Sequence, residues 1–247
     1  MLRGLESLYI CKGFLELQTP LHIGGGDVTV GTTDSPVMRT TEGQPFIPGS
    51  SLKGSFRNTV EKLALTLGLP NTDKDVLDTS SDWIKSFNDS RVEEAWTDSK
   101  VVERVKAEWP ATALLFGNPY TASKIFFADA YLQSESFTTI QRRDGVAIDR
   151  DSECAMDGLK YDYEVVVPTL RFNFELRLEN PSREELALAC LGLSELLSGF
   201  FSLGGQTLER YGSLHAGRIR SVYARSHAGQ RQVSHRAAST LLNGENP

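Results

Sequence analysis

Leu170-Arg171-Phe172-Asn173-Phe174-Glu175-Leu176-Arg177-Leu178 alternates apolar and polar residues through its whole length, the pattern of a strand with one face buried and one in water. Strand character starts upstream, at Val165. Asn180-Pro181-Ser182 then supplies a turn and a cap, and Glu184-Glu185 suit the positive end of a helix running from Arg183 to about Gly199. Leu186, Ala189, Cys190, Leu193 and Leu197 are its expected buried face. A loop from Phe200 to Gly212 follows, with Gly204 and Gly205 inside it and Arg210-Tyr211 near its end. Ser213 to Tyr223 reads as the last strand.

The first half of the chain carries a similar series. Leu8 to Leu17 reads as a half-buried strand and leads into His22-Ile23-Gly24-Gly25-Gly26-Asp27, whose glycines allow a sharp turn or a close approach to a partner. Asp34 follows His22 by twelve residues, so a titratable pair is available to one site, although a histidine beside a turn is also a common structural element. Pro45 to Arg57 reads Pro-Phe-Ile-Pro-Gly-Ser-Ser-Leu-Lys-Gly-Ser-Phe-Arg: a turn, a helix start that Ser50 or Ser51 would cap, and two cations. Lys53 and Arg57 fall four apart on one helical face, where they could hold successive phosphates; a capped helix with solvated cations is the plain alternative. Leu52, Phe56, Val60, Leu63 and Leu67 give the helix Ser51 to Leu67 a buried stripe, and Gly68 with Pro70 ends it.

Asn71 to Pro110 is polar and acidic, punctuated by Trp83, Trp96 and Trp109; it reads as a partly helical insert too short for its own core. Lys124 to Leu132 reads as the second strand, with Phe126 and Phe127 on opposite faces and at least one of them buried. Arg142, Arg143 and Arg150 flank Asp144-Gly145, a turn signal, and the stretch continuing to Glu164 reads as a hairpin with an apolar tip at Val146 and Ile148. A solvated surface loop is the bland reading of the same residues.

Composition bounds the rest. A net charge of −6 argues against a protein that coats nucleic acid through its overall field, but charge is segregated. Thr72 to Glu108 holds ten acids against six bases, whereas Ala216 to Pro247 holds five arginines and one acid. Three scattered cysteines without metal-ligand spacing fit reduced thiols. No apolar run reaches the length of a membrane span, and Met1 to Glu6 lacks the apolar core of a signal peptide, so no membrane partner and a cytoplasmic location are expected.

The order strand, helix, strand, hairpin, strand, helix, strand is that of an α+β, ferredoxin-like (RRM-like) domain. His22 to Gly26, Asp34-Ser35-Pro36-Val37, Ile47 to Arg57, Leu115-Phe116-Gly117 and the Gly204-Gly205 to Gly212 loop closely resemble, in that order, the RAMP family of CRISPR-associated proteins. They are most similar to the repeated backbone subunit of type III effector complexes, Csm-like or III-D. The resemblance implies one RAMP domain over 1–224: a palm of 8–68, 113–133 and 165–223, an insert over 71–112, and a hairpin thumb over 137–164. Residues 225–247 are expected as a flexible basic tail.

Such copies polymerise along a CRISPR RNA, beside other type III subunits, and push their thumbs through the duplex with complementary target RNA. By resemblance the guide lies against Gly24, Gly25, Gly26, Ser50, Ser51, Lys53, Arg57, Gly204, Gly205 and Arg210, and Arg142, Arg143 and Arg150 belong to the thumb. Asp34 matches the aspartate on which target cleavage depends, as a ligand of Mg²⁺ or another divalent cation, with His22 as its nearest assistant. Attack by the 2′-hydroxyl in line with the leaving oxygen would leave a 2′,3′-cyclic phosphate and a 5′-hydroxyl. A binding-only subunit, with Asp34 capping a turn, and a stand-alone processing enzyme remain as alternatives.

Overall fold

The computed structural model describes residues 4–24, 33, 35–69, 82–133, 140–148, 155–203, 213–226 and 229–233. In chain order its elements are β1 (Ser7–Leu17), β2 (Phe46–Ile47), α1 (Gly49–Thr66), α2 (Asp82–Glu93), α3 (Asp98–Glu108) and α4 (Ala111–Phe116). There follow β3 (Ile125–Phe127), β4 (Ala130–Tyr131), β5 (Ile140–Ile148), β6 (Ala155–Val166) and β7 (Arg171–Glu179). The chain continues through α5 (Arg183–Ser198), β8 (Phe201–Ser202), β9 (Ser213–Ser226) and β10 (Gly229–Val233).

β1 is central, antiparallel to β7 on one side and to β9 on the other, and β3 pairs with the far side of β7. The order β9-β1-β7-β3 is the ferredoxin-like arrangement of two interleaved βαβ units, with β10 added at the β9 edge. Phe172, Phe174, Leu176 and Leu178 are all buried along β7, as their alternation requires. They pack against Leu52, Phe56, Val60 and Ala64 of α1 and Leu188, Ala189 and Leu196 of α5. Gly192 lies where α5 crosses α1: a Cβ there would sit 2.5 Å from the Phe56 ring. That close crossing draws the buried face of α5 towards Leu188, Gly192 and Leu196, leaving Leu186, Leu193 and Leu197 partly buried at its margin. Ser182 and Glu185 form the reciprocal cap of α5 expected from the sequence.

Several boundaries differ from the sequence reading. The 165–178 stretch is two elements, because Pro168 has no N–H to give a ladder and Thr169 takes φ +69°. Val165 and Val166 therefore end the hairpin strand β6 instead of starting the palm strand. The Lys124 to Leu132 strand breaks at Ala128-Asp129, after which β4 leaves the main sheet to pair with β2. Asp144-Gly145 is not the hairpin turn: both residues pair within β5–β6, and Gly145 fits there because the Tyr161 ring lies over it. Residues 225–226 and 229–233 are strand rather than tail, since β9 runs on and pairs with β10. Phe127 packs on the core while Phe126, on the other face, is 41% exposed.

The insert has a core of its own. Ile84, Phe87, Trp96, Val101, Val105, Trp109 and Ala113 form a cluster apart from the main one, with Tyr120 packed against it. α2 gives Ile84 and Phe87, α3 Val101 and Val105 and α4 Ala113, while Trp96 and Trp109 come from the links between them, so a segment too short to fold alone still buries an apolar centre.

Candidate nucleic-acid interface

Pro48, not Ser50 or Ser51, is the N-cap of α1, and it offers no side-chain acceptor. The helix starts earlier than its composition suggests because Gly49 lies against the β3 backbone, where a Cβ would strike the Phe127 carbonyl oxygen. Its N–H donates to Asp129 Oδ1 at 2.7 Å, so a carboxylate from the β3–β4 junction meets the positive helix end. Ser50 and Ser51 lie in the first turn, Ser50 exposed and Ser51 half-buried.

One turn on, Lys53 and Arg57 stand together as the spacing requires. Lys53 Nζ donates to Ser123 Oγ at 2.7 Å, and burial, followed by the neighbouring Arg57 charge, holds its ammonium below the usual lysine range. Arg57 Nε donates to Glu61 Oε1 at 2.7 Å, and its guanidinium carbon lies 5.8 Å from the centre of the Phe116 ring. Arg57 Nη2 is buried without a hydrogen-bond partner among the described residues. Two adjacent cations, each fixed by one neutral or anionic neighbour and each with donors to spare, suit oxygens of a polyanion.

A second cluster forms where the His22 loop, the Ser35 to Arg39 segment and the end of β6 meet. His22 Nδ1 donates to the Glu164 carbonyl at 2.7 Å, which leaves Nε2 to accept from Ser35 Oγ at 3.2 Å. Tyr163 meets the imidazole edge-on, with centroids 6.1 Å apart. The Glu164 carboxylate accepts from the Val37 N–H at 3.1 Å and from Arg39 at 2.8 Å, and the Glu164 N–H donates to the Ser35 carbonyl at 3.0 Å. Glu164 was not singled out in the sequence; its signal is one acid placed directly before the buried pair Val165-Val166.

Asp34, Gly25, Gly26, Arg150, Gly204, Gly205 and Arg210 lie outside the described residues, as do the side chains of Val146 and Ile148. Gly24 bridges to Val37 and sits beside His22, and Arg142 pairs with the buried carboxylate of Asp162 across the hairpin. Arg143 is half-buried on β5, which five elements separate in sequence from the Lys53 and Arg57 helix and which belongs to a separate ribbon. Among the described residues no group of three or more His, Cys, Asp or Glu side chains could hold a metal ion.

A ferredoxin-like domain with a two-stranded ribbon inserted ahead of its third sheet strand, and paired cations on its first helix, defines a class of α+β domain suited to a polyanionic chain. A family model described as the RAMP superfamily matches residues 14–215, and the chain belongs to that superfamily. It is 29% identical over 218 residues to the CRISPR system Cms endoribonuclease Csm3 of Methanocaldococcus jannaschii, a match covering 85% of this chain and 79% of that one. The protein of the same name from Streptococcus thermophilus is 27% identical over 222 residues, covering 81% and 83%. A shorter match, 47% over 53 residues, joins it to the Enterococcus italicus protein of that name, covering 20% of this chain.

Proposed function

We propose that the chain is a CRISPR-RNA-binding backbone subunit of a type III effector complex, an endoribonuclease that polymerises along the guide and cuts complementary target RNA. The carrying observation is the pair Lys53 and Arg57, held side by side on α1 in a chain whose relatives, matched over 85% and 81% of it, are named as CRISPR endoribonucleases. Lys53 and Arg57 take the guide phosphates, a contact that does not depend on base sequence. The β5–β6 ribbon acts as the thumb that unstacks the duplex and presents the scissile link in line.

Asp34 is the residue assigned to cleavage, and Mg²⁺ or another divalent cation is its proposed partner. His22 is its nearest assistant: Nδ1–H donates to the Glu164 carbonyl, and Nε2 meets the hydroxyl of Ser35, the next residue after Asp34. Other copies, further effector subunits, the guide and the target are the partners of this reading. Among the described residues no helix is long and apolar enough to cross a membrane.

The test is the assembled complex carrying Asp34→Ala, incubated with complementary target RNA with and without Mg²⁺. The expected result is target binding as in the unaltered complex, with cuts lost; products of the unaltered complex carry a 2′,3′-cyclic phosphate and need the cation. Undiminished cutting by the Asp34→Ala complex would leave the chain a guide-binding scaffold, with cleavage done by another subunit.

A further inference from the structure

Lys53 does not stand in open solvent. Its ammonium donates to Ser123 Oγ at 2.7 Å, and that hydroxyl lies 2.8 Å from the Ile125 carbonyl and 3.3 Å from the Leu115 carbonyl, either of which can take its proton, while the Ile125 N–H donates to it at 3.3 Å. The acceptor is therefore fixed in place before any ligand arrives. Ser123 ends a loop from Gly117 whose path is strongly determined. Gly117 takes φ +96°, and a Cβ there would meet Ser123 N at 2.9 Å. Asn118 closes the loop, its Oδ1 accepting from Tyr120 and Thr121 N–H at 2.9 Å each. At the far end Tyr120 packs on Phe87 and Trp109 of the insert cluster, and its hydroxyl donates to Asn88 Oδ1 at 2.8 Å.

Resting on the assignment of Lys53 to guide phosphate, we propose that Ser123 is a positioning residue for that lysine and that the insert holds the loop bearing it. A lysine carries a long flexible stem and a compact charge, so an unheld ammonium loses rotamer freedom each time it meets a phosphate. Ser123 accepts from one of the three N–H donors of Lys53 and leaves two for the ligand. The insert thus acts on the grip through the loop that packs on it.

The experiment is binding of an unstructured single-stranded RNA to the full chain across a salt series, for Lys53→Ala, Ser123→Ala, the double variant and Ser123→Thr. Lys53→Ala should lower the slope of log affinity against log salt by about 0.7 per copy. Ser123→Ala should weaken binding about fivefold with the slope kept, add nothing once Lys53 is alanine, and be restored in large part by Ser123→Thr, which keeps the hydroxyl. An unchanged slope in Lys53→Ala overturns the assignment of that residue to phosphate. A normal response of Lys53→Ala with unaltered binding by Ser123→Ala overturns the positioning role alone. So does an equal loss from Ser123→Ala in both backgrounds, which is the mark of a general structural defect.

Discussion

A methyl group at position 49 would enter the space of the Phe127 carbonyl oxygen, while the Gly49 N–H is tied to Asp129. Gly49→Ala therefore has to push α1 away from the β3 backbone at the turn that sets Lys53 and Arg57. A loss of about 2 kcal/mol is expected, read as a lower denaturant midpoint, because the obstacle is main chain and has no rotamer with which to yield. Glu175 gives a second test, in pH. The hydrogen bond from Lys12, ahead of that from Arg177, holds its carboxyl below the ordinary glutamate value of 4.5. A depressed folded value means stability that is fully present above the unfolded value and is lost as pH falls through the folded one. The stability gap between the unaltered chain and Glu175→Gln should be constant near neutrality and shrink below about pH 4.5. A gap that stays constant into acid would show that the two cations do not favour the charged form.

At the scale of elements, what was legible in the sequence was what is local. β7 declares itself by alternation, and α5 by a cap and two acids within four residues, all short-range signals. The cations of α1 were readable as neighbours for the same reason, since a spacing of four fixes the face. The breaks were not legible, because each answers to a distant partner. β3 stops where it does so that Asp129 can reach the N–H of Gly49, eighty residues away in the chain. Gly145 looks like a turn residue from its neighbours, yet it is a seat for Tyr161 across the ribbon. The insert hid its core because its tryptophans follow no single period; their partners come from α2, α3 and α4 together. His22 was visible as a titratable group, but only its two hydrogen bonds show that it holds the Ser35 segment.

Over the whole molecule, α4 is the seam between two apolar centres. Ala113 belongs to the insert cluster, while Leu115 and Phe116 belong to the main core. A six-residue helix cannot make the two centres one cooperative unit by its own packing, and the smaller cluster is the weaker, having fewer buried side chains behind it. Phe87, 5% exposed and in contact with both Trp96 and Tyr120, is the place to separate them. Phe87→Ala removes about 3–5 kcal/mol of packing from the insert. Backbone amides of α2 and α3 should then exchange with solvent far faster while those of β1 and β7 keep their protection. Affinity for single-stranded RNA should fall to the level of Ser123→Ala, since the loop from Gly117 to Ser123 loses the wall on which Tyr120 rests. Equal acceleration in β1 and β7 would instead make the domain a single folding unit, and the insert part of the scaffold that all of its sites share.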